Sequence, residues 1–551
     1  MTKKVLLSLL PIAALLFSCT LNQNSGSSMQ TTPGEPQDSS SAAQPSPSSS
    51  SSQDGEAGYY KAESINDNVS LRKISDTQDT PILPSVGTFD VLVLPVEFTD
   101  CPFTDRQLEE ISIAVGEDAS ATNYWETLPS YYEKSSYGRL DINCTVADSV
   151  DLGMTADAFI GNANSLGYSG QDSSYVVSQT IQKGVSEYKK AHGNTSTQVF
   201  DSDQDGYIDA TIVIYSAPSF YQWTYECQQG LHKNYDYYQI FWAFTYYDFY
   251  STPSLNSPTS CCYFWASYDF FETSTEGQVD THTLCHEFGH VLGADDYYDA
   301  DYEEGGQDNV AGGALMMDLN AGDHDMVTKM LYGWVEPYVV TDDCTITISP
   351  STTSGDVIIF SDGWNGTGFD EYIAIEFYSP TGLNQFDTTH NSSSYGNIPN
   401  DYGIRVWHAD MRLVYGPGYL VSSNFADSAY LTDEQTASFD YPERCAYLGK
   451  PYYSEVAVGA SNSDYGRCQS LLGSNIYALQ LIQAGGEYTL HDSNLMMTGD
   501  DLFKEGDSFS PSLYTDFMPN GKWNDGEKVN FEFHIDSLTP EKATISFTKI
   551  A

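Results

Sequence analysis

Basic residues are scarce in this chain of 551 residues: Lys and Arg number 23 against 76 Asp and Glu, a formal net charge of −53. That shortage argues against nucleic acid as a partner, because a polyanion gives up its counterions only to Lys and Arg. It argues equally against docking on an anionic membrane through a basic face. No apolar run is long enough to span a bilayer. Cysteine is sparse too: ten residues with no Cys-x-x-Cys pair, which speaks against a zinc ribbon and against a disulfide scaffold. There is no internal repeat. Against these absences, 40% of residues are hydrophobic and 14% aromatic, so cores can form and global disorder is excluded. At ~100–200 residues per domain, the length implies two or three folded units.

Lys3 and Lys4 precede an apolar stretch, Val5–Phe17, of the length of a signal-peptide core. It ends in Leu16-Phe17-Ser18-Cys19, which resembles a bacterial lipoprotein signal. Residues 1–18 are then a leader, and Cys19 becomes the lipid-modified N-terminus. An ordinary secretory leader with an incidental Cys is the plainer alternative. Residues 19–60 read as a Ser/Pro-rich flexible tether, most biased from Thr20 to Glu56, with an r.m.s. span on the order of 35 Å. The expectation is an extracytoplasmic protein on a bacterial cell surface, held to the membrane only by lipid. The acidic balance suits such a protein when it binds hard cations through carboxylates. Nine Cys follow Cys19, an odd number that cannot all pair within one chain.

Asp90–Phe98 (DVLVLPVEF) and Ala210–Tyr215 (ATIVIY) read as buried strands. Tyr175–Ala191 reads as an amphipathic helix with Val177, Ile181, Val185 and Tyr188 on one face. Gln278–Leu292 reads as a helix with Leu284, Phe288 and Val291 as its apolar stripe. Strands and helices thus alternate to about Trp334, a mixed α/β or α+β unit. Beyond Pro337 short alternating segments recur between turn residues: Thr345–Ser349, Asp356–Phe360, Tyr372–Phe377, Gly403–His408, Val529–His534 and Ala543–Phe547. That is a β-sandwich-like signature, of one domain or two, and it sets a boundary near 337. Phe220 to Phe271 is dense in Tyr, Trp and Phe. It is either the wall of a cleft or, more simply, an aromatic insertion packed on the unit before 337.

His286-Glu287-Phe288-Gly289-His290 is the central motif. Residues four apart on a helix share a face, so two imidazoles can hold one Zn²⁺, with Glu287 placed to act on a water beside it. Gly293 follows three residues after His290, where a helix can stop and the chain can turn back. Asp296, three residues further on, can then return as a third ligand, and Asp295 and Asp299 compete for that role. Two His and one carboxylate leave a fourth position open, as a catalytic site requires. His282 shares the face but lies one turn back, which suits a helix start or a supporting residue better than a fourth ligand. Cys285 points about 100° away from His286 and reads as a buried apolar Cys.

With Gly312-Gly313-Ala314-Leu315-Met316-Met317-Asp318 as a Met-containing turn, the chain resembles the zincins whose motif is His-Glu-x-x-His-x-x-Gly-x-x-His/Asp. More closely it is similar to the immune inhibitor A-type secreted bacterial metallopeptidases. HEFGHVLGADDYYD (286–299), LMMD (315–318), Gly322-Asp323-His324, Lys329, Gly333-Trp334, VLVLPVEFTD (91–100) and DSDQDGYID (201–209) carry that resemblance. It extends more weakly into 371–387 and 403–413. It implies an α+β zincin/metzincin-like catalytic domain at 85–337 and a β-sandwich-like C-terminal region at 338–551. By the same resemblance His286, His290 and Asp296 are zinc ligands, Glu287 is the general base and Met317 the turn Met, with Met316 adjacent. Tyr297 and Tyr298 lie near as oxyanion candidates.

Asp201, Asp203, Asp205, Tyr207 and Asp209 alternate around Gly206 like the first nine positions of an EF-hand-type loop. Position twelve is Ile212, not Glu, and strand rather than helix follows. Asp209 takes over a ligand role, and the expected ion is a structural Ca²⁺. The expected activity is a lipid-anchored zinc endopeptidase using metal-activated water, monomeric, with protein or peptide substrates. The rivals are an inactive surface adhesin on the same fold, and a zinc hydrolase of non-peptide amides or esters.

Overall fold

The computed structural model describes residues 58–66, 70–71, 82–165, 174–232, 238–248, 250–294, 296–298, 308–390, 396–411, 477–492, 494–524 and 526–550. The leader, Cys19 and the tether up to 57 lie outside the described residues, as do Asp295, Asp299, Cys445 and Cys468.

In chain order the first strands are β1 (Tyr59–Lys61), β2 (Gly87–Glu97), β3 (Leu140–Val146), β4 (Val150–Asp151), β5 (Tyr207–Ile208), β6 (Thr211–Tyr215), β7 (Phe244–Tyr247), β8 (Thr259–Ser260) and β9 (Cys262–Ser267). After residue 337 come β10 (Tyr338–Val340), β11 (Cys344–Ile348), β12 (Val357–Phe360), β13 (Glu371–Tyr378), β14 (Gly403–Asp410), β15 (Leu479–Leu481), β16 (Ser508–Phe509), β17 (Phe531–Leu538) and β18 (Ala543–Lys549).

The first sheet runs β3-β2-β6-β9-β7, with β4 beside β2. Its pairings are parallel except for the last strand, β7, which is antiparallel to β9. Apolar residues fill both faces of its central strands, as parallel strands covered on both sides require. Alternate residues enter different cores. Val91, Val93, Ile212, Ile214, Phe264 and Ala266 face the helix His282–Val291. Leu92, Leu94, Val213, Tyr215, Tyr263 and Trp265 face the opposite way, into the core that holds Phe159 and Ile160 of the helix Ala156–Ser165 and Val177, Ile181 and Val185 of the helix Ser174–His192. Much of the aromatic stretch packs into that second core: Trp223, Phe241, Tyr263 and Trp265 are buried there. Tyr221, Tyr225 and Tyr250 remain exposed.

The second sheet runs β1-β10-β12-β13-β14-β15 and the third β11-β18-β17-β16. Ile358, Ile373, Ile375 and Val406 of one pack with Ile346, Ile348, Ile545 and Phe547 of the other. The opposite face of the second sheet, Ile359, Tyr372, Ala374, Trp407 and Ala409, shares a core with Leu284, Phe288, Met317 and Tyr332. The core therefore does not divide at 337. The reason is that β13 and β14 are buried at every residue and offer no solvent face. Such a sheet needs cover on both sides. The third sheet covers one side, and the layer holding the His-Glu helix covers the other. A second difference lies at the N-terminus. Tyr59 and Tyr60, read above as the end of the tether, form with Lys61 an edge strand antiparallel to β10, with the Tyr59 ring edge-on to Tyr338 at 6.0 Å. No helix among the described residues is long and apolar enough to cross a membrane.

Candidate metal centre

The motif helix, His282–Val291, starts where Asp280 Oδ1 accepts from the His282 N–H at 3.0 Å. It ends in a Schellman turn: Gly293 N donates to His290 O at 2.9 Å and Ala294 N to Gly289 O at 3.1 Å. Gly293 sits at φ +100°, a conformation that suits glycine, and the chain reverses there. Asp296 is thereby brought back over the last turn of the helix. Its Oδ1 lies 2.9 Å from His286 Nε2 and 3.3 Å from His290 Nε2.

Each imidazole commits its other nitrogen to a backbone carbonyl. His286 Nδ1 donates to Met316 O at 2.7 Å, and His290 Nδ1 to Ala294 O at 2.8 Å. A carbonyl only accepts, so Nδ1 carries a proton in each ring and Nε2 is the nitrogen turned toward Asp296. With no proton left on either Nε2, two lone pairs and a carboxylate within 4.8 Å of one another would repel. A divalent cation among them converts the repulsion into coordination, and a carbonyl-anchored Nδ1 is how ligating histidines are oriented. The donor set therefore fits such an ion. Burial pushes the Asp296 carboxyl up, but His290 and His286 outweigh it and hold it below the usual range. Tyr298 Oη donates to Asp296 Oδ2 at 2.8 Å.

Met317 lies beneath the helix. A Cβ on Gly289 would overlap Met317 Sδ and stand 3.0 Å from its Cε. The two adjacent methionines divide the work: Met316 offers its carbonyl to His286, and Met317 its side chain to Gly289. Tyr297 N donates to Met317 O at 2.7 Å, tying the Asp296 segment to the same turn. Tyr297 Oη faces Thr328 Oγ1 at 3.0 Å, so it is turned to the interior, and Tyr298 is engaged with Asp296.

Glu287 is buried and is not one of the three converging groups. Thr245, on β7, donates its hydroxyl to Glu287 O at 2.8 Å and stands 3.4 Å from Oε2. Burial raises the Glu287 carboxyl above its usual range, against the pull of His290 and His286. Cys285 is fully buried, and burial pushes its thiol far up.

His282 turns away from the cluster. Its Nδ1 is 2.6 Å from Asp280 Oδ1, its Nε2 3.2 and 3.3 Å from the two Asp387 oxygens, and its ring stacks on Trp125 at 3.8 Å. Burial lowers the His282 pKa, but Asp280 and Asp387 outweigh it and hold it at about 10. The folded value thus exceeds the unfolded ~6.5. Charged His282 stabilises the fold fully below pH ~6.5, and the contribution is lost as pH rises toward about 10. The gap in melting temperature between wild type and His282→Gln is expected to shrink over that window. A constant gap would show that charge is not what His282 contributes.

In the acidic loop, Asp201, Asp203 and Asp209 each bring a carboxylate oxygen within 4.8 Å of the others. Asp205 is not in that group; its Oδ1 accepts from Tyr207 N at 2.7 Å. Asp201 also accepts from Asp205 N and Gly206 N, both at 3.1 Å, and Asp209 Oδ2 from Ser202 N at 3.0 Å. Gly206 sits at φ +91°, and a Cβ there would meet Ser254 N at 2.6 Å. Burial raises the Asp201 pKa and neighbouring Asp203 adds to it. Ile212, the twelfth position, is buried in β6.

Thr245, the carbonyls of Met316 and Ala294, and Asp387 carried no signal in the sequence. Thr245 is 42 residues from Glu287, and Asp387 is 105 from His282. The chain matches no family model and no curated protein.

Proposed function

We propose that this chain is a zinc-dependent endopeptidase, lipid-anchored through Cys19 on a bacterial surface, acting on proteins or peptides. The observation that carries it is the convergence of His286 Nε2, His290 Nε2 and Asp296 Oδ1 beside a buried glutamate outside that set. Two imidazoles and a carboxylate are three ligands, the number that catalytic zinc sites use. Bound there, zinc would polarise a carbonyl and lower the pKa of a water to about 7. Glu287, held by Thr245, would accept a proton from the attacking water as its oxygen adds to the scissile carbonyl, and would return that proton to the amine as the C–N bond breaks. β7, which carries Thr245, is an end strand of its sheet among the described residues, and an extended peptide added to it would lie next to Glu287. Metal analysis and casein cleavage of the purified chain, with and without chelator, test the reading. Cleavage that a chelator leaves untouched would sink it.

The Asp201–Asp209 loop supports a structural calcium site. It follows the Ser196–Phe200 turn, contains β5 and leads into β6, and Gly206 O accepts from Ser254 N at 2.9 Å. Calcium at 100 times its Kd is expected to stabilise the fold by ~2.7 kcal/mol. Calorimetry should show that gain in wild type and not in Asp209→Asn, with zinc content equal in both.

A further inference from the structure

We propose that Asp387, from the β-rich region beyond residue 337, is a positioning residue for the metal centre, acting on the motif helix and on the Met turn together. The inference rests on the zinc reading above and adds to it. Asp387 is fully buried. One of its contacts is His282, one helical turn before His286, at 3.2 and 3.3 Å. The other is the N–H of Gly322, which donates to Oδ2 at 2.7 Å. Gly322 closes the segment that begins with the Met turn, and Ala321 N donates back to Leu315 O at 3.2 Å. A single carboxylate therefore touches both pieces of chain that set His286: the helix that bears it, and the segment whose Met316 carbonyl orients its ring.

The same region holds the other end of that segment. Arg405 Nη1, on β14, donates to Ala314 O at 3.3 Å. Arg405 is itself fixed. Its Nε donates to Glu376 Oε1 at 2.6 Å, Trp407 Nε1 donates to the same oxygen at 2.7 Å, and the guanidinium lies 5.1 Å from the Tyr378 and Trp407 ring centres. Residues 314 and 322, which bracket the Met turn, are thus both pinned by side chains from beyond 337. The shared core described above makes this possible, because the second sheet packs directly against the motif-helix layer. Groups that orient metal ligands typically change metal affinity by about 10- to 100-fold when removed.

The test uses the full chain loaded with Co²⁺, whose visible spectrum reports ligand geometry, together with metal affinity by chelator competition and the melting temperature. Asp387→Asn is expected to weaken metal affinity by about 10- to 100-fold and to change the cobalt spectrum. Ile545→Val, in the core between the second and third sheets, lowers stability without touching either strut and should keep both metal readouts at wild-type values. If Asp387→Asn fails to fold, Asp387→Glu, which keeps the charge but moves the carboxylate by one methylene from His282 and Gly322, decides by the same two readouts. Wild-type affinity and spectrum in the variant that folds overturn the proposal. So does equal weakening in Ile545→Val, which would make the effect one of stability alone. Wild-type protein that takes up no divalent ion would overturn the zinc reading itself, and with it this inference, a result distinct from the other two.

Discussion

Glu287→Gln is expected to keep the divalent ion bound while casein cleavage falls by about 10²- to 10⁴-fold, the usual worth of a positioned acid–base group. The geometry separates the two effects. The ligand atoms that converge belong to His286, His290 and Asp296, and Glu287 is not among them. Gln has the same shape and can still accept from the Thr245 hydroxyl, 3.4 Å away. It cannot take up a proton from water near neutral pH. Metal content and melting temperature should therefore stay near wild type as turnover disappears. Full activity in this variant would end the mechanism, and loss of the ion would make Glu287 a ligand rather than a base.

Gly289→Ala is expected to destabilise the fold by ~1–3 kcal/mol and to weaken metal binding, although no polar group changes. Helix propensity taken alone predicts the opposite sign, since Ala is favoured over Gly by ~1 kcal/mol in a helix interior. Packing decides against propensity here. The new Cβ overlaps Met317 Sδ, and Tyr332 Oη is only 3.4 Å away. Met317 is buried, so its thioether can move only by shifting packed neighbours. Displacing it drags Met316, whose carbonyl holds His286 at 2.7 Å. The double variant Gly289→Ala with Met317→Ala should recover part of both losses, read as melting temperature and chelator competition. A single variant that melts above wild type would mean the helix does not rest on Met317.

Most local elements were legible, with errors at their ends. The motif helix expected over Gln278–Leu292 spans His282–Val291. Its expected first residues are claimed by other partners: Val279 N donates to Thr122 O at 2.9 Å, and the Asp280 side chain caps the helix. The helix expected over Tyr175–Ala191 spans Ser174–His192, because its apolar stripe is long and periodic. The strand expected over Val529–His534 lies at Phe531–Leu538, where an alternating pattern runs into a turn without a sharp marker. Tyr372–Phe377 was legible as a strand from its aromatic and β-branched residues. Its two buried faces were not, since a run of apolar residues does not say which layer covers it.

What the sequence determined by itself is short in range: the strand and helix segments, the His-Glu-x-x-His spacing and the glycine that reverses the chain after it. These depend on residues within a turn or two of one another, so periodicity and one backbone conformation suffice to specify them. Tertiary structure alone decided the rest. It brought Asp296 Oδ1 to both imidazoles, set Thr245 against Glu287, and lent the Met316 carbonyl to His286. It also merged the layers on either side of 337 through a sheet buried on both faces. Each of these is a contact between a side chain and a backbone or carboxylate oxygen brought near by packing, or an apolar face matched to another layer. Neither kind leaves a mark in the spacing of residues along the chain.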